Sequence, residues 1–291
     1  MQQERQRSLL DDLRDYRMTT QNTQCEKVAF FRKLHFHDDV FVMPNAWDIG
    51  SARILERLGF KALATTSSGM AFGFGKVDGT VSPEETFRHC SDIVSATPLP
   101  VSADLREGFG DSPEEVYKTI ISAAETGVVG GSIEDWNNVP GTPKYEESLA
   151  VERVKAASEA CKSLSVDFVL TARCEVLDEK PNLDEIIGRL NAFDEAGADV
   201  LYAPGLEDLD SIRTVISEIS KPFNVLMMDT ELTYGVKELA GIGVKRISVG
   251  SVFTQLAYGS MIAAAKEIVN QGSFGFIQEA LGYEELEAYF K

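Results

Sequence analysis

Two carboxylates that close short apolar stretches set the chemistry this chain could do. Leu99 to Ala103 runs into Asp104, then into Arg106-Glu107 and a Gly108-Phe109-Gly110 turn. The next apolar stretch, Val128 to Ile133, ends on Glu134-Asp135. Carboxylates at adjacent strand ends suit a hard divalent cation such as Mg²⁺, which takes oxygen ligands. The same acids could simply cap the helices that follow. Arg173 closes Val169-Leu170-Thr171-Ala172, and its planar fork suits a carboxylate held by two hydrogen bonds. An internal salt bridge to Glu134 or Glu175 is the alternative. Asp78 follows a glycine-rich turn and precedes Gly79, so it is either a site acid or a turn former. Ser68-Gly69 could offer a hydroxyl and a backbone N–H to an oxyanion, or form a tight turn. Trp47 is either a stacking platform or core. Cys174 beside Arg173 would be a reactive thiol only with a base nearby, and none is evident.

The elements that must hold these groups alternate regularly. The pattern predicts strands at Val40–Met43, Lys61–Thr66, Leu99–Ala103, Val128–Ile133, Phe168–Ala172, Val200–Ala203, Phe223–Met227 and Lys245–Val249, each followed by a helix. Ser82-Pro83-Glu84-Glu85 and Ser112-Pro113-Glu114-Glu115 open two of those helices in the same way, with a capping Ser, Pro at the first helical position and acids in the first turn. Gly59, Gly127, Gly197 and Gly243 precede every second strand, where helix-terminating glycines belong. Eight alternating units with short connections predict parallel strands closed into one (β/α)8 barrel. A doubly wound open sheet is the other arrangement, but no Gly-x-Gly-x-x-Gly follows the first strand. In a barrel the active site lies at the carboxyl ends of the strands. Those ends are Asn45/Trp47/Asp48, Ser67/Ser68/Gly69, Asp104/Arg106/Glu107, Glu134/Asp135, Arg173/Glu175, Pro204 and Asp229. Residues 1–24 read as a polar extension, and 25–291 as the barrel. The Trp136–Glu146 connection is long for a barrel and reads as a gate.

With 46 acidic against 28 basic residues the net charge is −18, which argues against nucleic acid and anionic membranes as partners. No apolar run approaches the ~18 residues of a membrane span, and the N-terminus lacks a signal-peptide core. Four scattered cysteines and three early histidines give no metal or redox pairing. A reduced, cytoplasmic protein is the expectation.

Pro44-Asn45-Ala46-Trp47-Asp48-Ile49-Gly50, Thr65-Thr66-Ser67-Ser68-Gly69, Ser102-Ala103-Asp104-Leu105, Ser132-Ile133-Glu134-Asp135, Leu170-Thr171-Ala172-Arg173 and Arg246-Ile247-Ser248-Val249-Gly250 resemble the isocitrate lyase/phosphoenolpyruvate mutase superfamily, in its phosphonomutase-like branch. The resemblance covers the chain from about Cys25 onward. It implies a barrel whose eighth helix swaps between subunits, a homo-oligomer (dimer or tetramer), and Mg²⁺ bound with a small 2-oxo or 2-hydroxy carboxylate. Carried over, Ser68, Gly69 and Met70 would contact the substrate carboxylate, with Trp47 nearby. Asp104 and Glu134 would serve the metal, Asp78 would lie beside it, and Arg173 would bind substrate. The expected activity is carbon–carbon lysis through an enolate. Phosphonomutase, carbon–carbon hydrolase, oxo-acid decarboxylase or a non-catalytic binding barrel are the alternatives. Three departures stand out. The family's Asp-x-Asp is Ser102-Ala103-Asp104 here. The lyases' Lys-Lys-Cys-Gly-His loop is replaced by Trp136-Asn137-Asn138-Val139-Pro140-Gly141-Thr142, which excludes a lyase using that cysteine as its acid. The glutamate expected after strand six is Pro204.

Overall fold

A computed structural model describes residues 19, 21–37, 39–178, 180–206, 208–228 and 234–291. The strand-end position Asp229 and most of the 1–24 extension lie outside the described residues. Eight parallel strands form one sheet: β1 (Phe41–Val42), β2 (Leu63–Ala64), β3 (Val101–Asp104), β4 (Gly130–Glu134), β5 (Val169–Arg173), β6 (Val200–Tyr202), β7 (Phe223–Leu226) and β8 (Arg246–Ser248). Their order is β1-β8-β7-β6-β5-β4-β3-β2. The two ends of this sheet meet through a parallel bridge between Asn45 and Ala64. Ala64 N–H donates to Pro44 O at 2.9 Å and Ala46 N–H to Ala64 O at 2.8 Å, which brings the sheet round on itself as a (β/α)8 barrel.

Among the described residues eleven α-helices accompany the sheet: α1 (Gln24–Phe36), α2 (Ile49–Arg57), α3 (Ser67–Gly73), α4 (Pro83–Ala96), α5 (Pro113–Glu125), α6 (Glu147–Ser163), α7 (Leu183–Glu195), α8 (Leu209–Ser217), α9 (Val236–Gly241), α10 (Val252–Gln271) and α11 (Tyr283–Ala288). The two Ser-Pro-Glu-Glu openings form complete capping boxes at α4 and α5, satisfying N–H groups that a helix start leaves unpaired. Gly59, Gly127, Gly197 and Gly243 take φ of 91°, 93°, 106° and 97°, the left-handed geometry that ends a helix before the next strand. Every anticipated strand is present, with boundaries shifted by at most two residues.

One local expectation is corrected. Of the two readings of Ser68-Gly69 the tight turn falls: both lie in the first turn of α3, whose N-cap Thr66 accepts from Gly69 N–H. The capping hydroxyl favours helix immediately after the strand.

The amino end of the barrel is filled by α1. Its Phe31 and His35 are buried, and both rings meet Phe41 edge-on, at 6.3 and 5.0 Å. Gly130 makes room inside: a side chain there would meet Val169 O at 2.7 Å and Phe31 Cε1 at 3.2 Å. With its lower end filled, the barrel leaves the carboxyl ends of its strands as the place for a cavity. Among the described residues no helix is long and apolar enough to cross a membrane.

Candidate active site

A cavity of about 140 Å³ occupies the carboxyl end of the barrel. Asp104, Glu134, Arg173, Asp78 and Ser68 all border it, so five of the residues singled out from the sequence converge. Trp47, Gly69 and Met70 do not border it. Met70 is buried in a small apolar cluster with Ala71 and Val81. A side chain at Gly69 would meet Thr66 Cγ2 at 2.5 Å, Thr254 Oγ1 at 2.7 Å and Trp47 Cβ at 3.1 Å, so packing between α3, the Trp47 turn and α10 leaves no room for one. Trp47 contributes its backbone carbonyl, which lies 2.9 Å from His89 Nε2.

Asp104 ends β3 and is fixed on both sides. Its N–H donates to Thr65 Oγ1 at 2.9 Å, and its Oδ2 accepts from Ser67 N–H at 2.9 Å. Its Oδ1 has only a long contact, 3.4 Å, from Arg106 N–H. Arg106 itself holds φ of 53°, an uncommon value for a side chain of this size. Asp78, on an exposed loop, turns toward the same rim and accepts from Gly79 N–H at 2.9 Å. It is thus both turn former and site acid. Burial of its carboxyl, and then the charge of Asp104, raise its pKa, while Arg106 opposes the rise.

Glu134 ends β4 and points inward, whereas Asp135 points outward, as alternation along a strand requires. Glu134 Oε2 pairs with Arg173 Nη1 at 3.0 Å, and its Oε1 accepts from Asn138 Nδ2. Burial, reinforced by the charges of Glu175 and Asp104, drives its pKa well above the carboxylate range, against the pull of Arg173. One cation among three acids does not offset the burial. Arg173 also pairs with Glu175 and lies over the Tyr202 ring at 5.3 Å. Both readings of Arg173 therefore hold: it is internally paired and it borders the cavity. Asp135 accepts from Glu175 N–H at 2.8 Å and faces Arg189 at 3.3 Å; it holds the strand end together from behind. Cys174 is buried, and burial pushes its thiol pKa well up, the opposite of an activated nucleophile.

Among the described residues no three His, Cys, Asp or Glu side chains come together as a metal-binding group. The donors nevertheless fit Mg²⁺. That ion keeps several waters and takes one or two carboxylates plus substrate oxygens. Asp104 offers Oδ1, and Ser102 stands two residues earlier on the same face, also bordering the cavity. Both Glu134 oxygens already have partners, so its contact with an ion would run through water.

Asn138, Arg246, Asn224 and Tyr202 also border the cavity, and sequence reasoning did not single them out. For Arg246 the signal was masked: Lys245 and Ser248 beside it remove the apolar contrast that marked Arg173. Asn138 carried none, because its loop reaches back by a fold of its own backbone, with φ of 59°.

The family model described as phosphoenolpyruvate phosphomutase matches residues 31–269. A 2-methylisocitrate lyase of Halalkalibacterium halodurans is 28% identical over 204 residues, covering 69% of this chain and 67% of that protein. A solved structure from Burkholderia cenocepacia J2315, a lyase/mutase whose assignment is itself provisional, superposes with a TM-score of 0.89. It is 44% identical and covers 92% of this chain and 98% of its own. The crystal structure of a 2,3-dimethylmalate lyase gives a TM-score of 0.80 at 26% identity, covering 91% and 94%. With the matched region running across all the strand ends that build the cavity, the chain belongs to the phosphoenolpyruvate phosphomutase family of the isocitrate lyase/PEP mutase superfamily, whose relatives are named as lyases and mutases.

Proposed function

We propose that the chain is a Mg²⁺-dependent lyase that breaks a carbon–carbon bond in a small 2-oxo or 2-hydroxy carboxylate, by way of an enolate. The observation that carries this reading is the sharing of one cavity by Asp104, with an available oxygen, and the Arg173–Glu134 pair. Cleavage next to a carbonyl leaves negative charge on oxygen, and catalysis lies in stabilising that charge where it develops. A bound Mg²⁺ would act as a Lewis acid on that oxygen. Arg173, held in place by Glu134 and Glu175, supplies fixed positive charge to the substrate carboxylate. Burial raises the pKa of Glu134, which suits its carboxyl to exchange a proton with the substrate. Asn138 closes over Glu134 from the loop after β4 and limits water at the cavity mouth, protecting a carbanion from stray protonation. The names of the relatives, 2-methylisocitrate lyase and 2,3-dimethylmalate lyase, support a substrate of this class.

A non-catalytic binding barrel is the second reading, and Ser102 in place of a second acid on β3 favours it. Calorimetry with oxalate, an enolate mimic, followed by a screen of 2-hydroxy acids for release of an oxo acid, separates the two. The lyase reading expects oxalate to bind only with Mg²⁺ and at least one acid to be cleaved. Metal-independent binding without turnover of any acid would sink it.

A further inference from the structure

Arg246 opens β8 with its side chain inside the barrel, and only 3% of the residue is exposed. Its Nε donates to Asn224 Oδ1 at 2.8 Å, and its Nη1 donates to Thr171 Oγ1 at 3.1 Å and faces His35 Nε2 at 3.3 Å. His35 Nδ1 lies 2.8 Å from Phe31 O, an acceptor only, so Nδ1 carries the ring proton and Nε2 accepts from Arg246. Burial, and then the Arg246 charge, hold the imidazole pKa down to about 3. All three partners are thus neutral. Among the described residues no carboxylate pairs with Arg246, and its Nη2 has no hydrogen-bond partner. Arg173 and Arg189 have carboxylate partners, and Arg153, as deeply buried as Arg246, is held by the backbone carbonyls of Glu107, Gly110 and Asp111, away from the cavity lining.

A buried charge without a counter-charge is expensive, and an apolar side chain of similar volume would avoid that expense. Burial lowers the Arg246 pKa only to about 10, so the group stays cationic at neutral pH. Its surroundings are set in advance: Asn224 Nδ2 donates to Ser248 Oγ at 2.9 Å, which fixes the amide so that its oxygen faces the guanidinium. Arg246 borders the same cavity as Asp104.

We infer that Arg246 is an anion anchor, which takes a second anionic group of the substrate while the Asp104 rim takes the 2-oxo or 2-hydroxy carboxylate. This rests on the reading of the cavity as a site for small carboxylates. The missing counter-charge is supplied by the ligand, so the site discriminates between dianions and monoanions of the same core. A hydrogen-bonded cation out of water distinguishes such ligands strongly.

The test uses malate and lactate, 2-hydroxy acids that differ by one carboxylate, titrated calorimetrically into the full chain at a fixed free Mg²⁺ concentration, with oxalate as reference. The parent should bind malate at least about 10-fold more tightly than lactate. Arg246→Met should bring the ratio to within about 3-fold while lactate affinity is kept, and Arg246→Lys should restore part of the gap. If oxalate binds and the parent does not prefer malate, the anchor is wrong and the lyase reading survives. The anchor is equally wrong if folded Arg246→Met keeps the full preference. If the parent binds none of the three acids, the carboxylate reading itself fails, and the anchor with it. The preference in the parent needs no variant, so the inference stays exposed even if Arg246→Met does not fold.

Discussion

Arg246 Nη1 lies 3.3 Å from His35 Nε2, a cation held against a ring that the fold keeps neutral. The pair joins the helix filling the lower end of the barrel to the lining of the cavity, so ligand binding and acid stability share one set of contacts. Below an ordinary histidine pKa of 6.5 the unfolded chain takes up a proton at His35 that the folded chain refuses until about pH 3. Stability from this group is therefore complete above pH 6.5 and lost progressively as pH falls toward 3. Between pH 7.5 and 4.5 the parent should lose roughly 2–3 kcal/mol more than His35→Gln. Urea unfolding of both proteins at the two pH values measures this, and equal losses would show that His35 titrates normally in the fold.

Asp104 is the acid whose loss should remove metal-dependent binding. Asp104→Asn keeps an oxygen for Ser67 N–H and nearly the same volume, so the fold should survive. Losing a direct charged ligand should weaken Mg²⁺-dependent oxalate binding by at least about 100-fold, since removal of outer partners alone costs ~10–100-fold. Calorimetry with circular dichroism as a fold check decides it. Binding equal to the parent would remove Asp104 from the metal site.

The alternation of strands and helices, the capped helix starts and the terminating glycines were all readable because each rests on local chemistry. So were Asp104, Glu134 and Arg173, charged residues at the ends of apolar strands. What stayed hidden was decided by tertiary contact. Gly69 lacks a side chain because Thr66, Thr254 and Trp47 crowd it, and Thr254 is nearly two hundred positions away in the chain. Asn138 reaches Glu134 only because its own backbone turns left-handed. Asp135 and Glu134 are neighbours in sequence, yet the pleat sends one to the cavity and the other to Arg189.

The connection from Trp136 to Glu146 should tighten when the cavity fills. Its base is fixed by Trp136 Nε1 to Thr142 O at 3.1 Å and by Lys144 to Glu185 at 2.9 Å. Val139 is exposed, and next to it Asn138 reaches into the site. Lys144 is too well covered by its ion pair to be a useful tryptic site, so a broad-specificity protease suits the measurement. Mg²⁺ with oxalate should slow cleavage within residues 137–143 by several-fold, about the ratio expected when a local opening is suppressed. Asn138→Asp tolerates the same backbone conformation but sets a carboxylate against Glu134, and should abolish the protection. Identical cleavage with and without ligand, once binding is verified, would count decisively against a gate.

The long helix α10 should be an interface between copies of the chain. Its 20 residues, VFTQLAYGSMIAAAKEIVNQ, carry one lysine and one glutamate, yet Thr254 is its sole buried residue. A helix apolar on all sides is normally buried. Here Leu256, Met261 and Val269 are 60%, 59% and 83% exposed, an apolar area too continuous for a surface left in water. A second copy of the chain, presenting the same helix, could cover it in a symmetric arrangement. Light scattering after size exclusion should give a dimer or tetramer for the parent. Leu256→Glu combined with Val269→Glu should shift the protein toward monomer, because two buried carboxylates without partners would each cost several kcal/mol at the interface. A parent that runs as a monomer at micromolar concentration, or a double variant that assembles as the parent does, would remove α10 from any subunit contact.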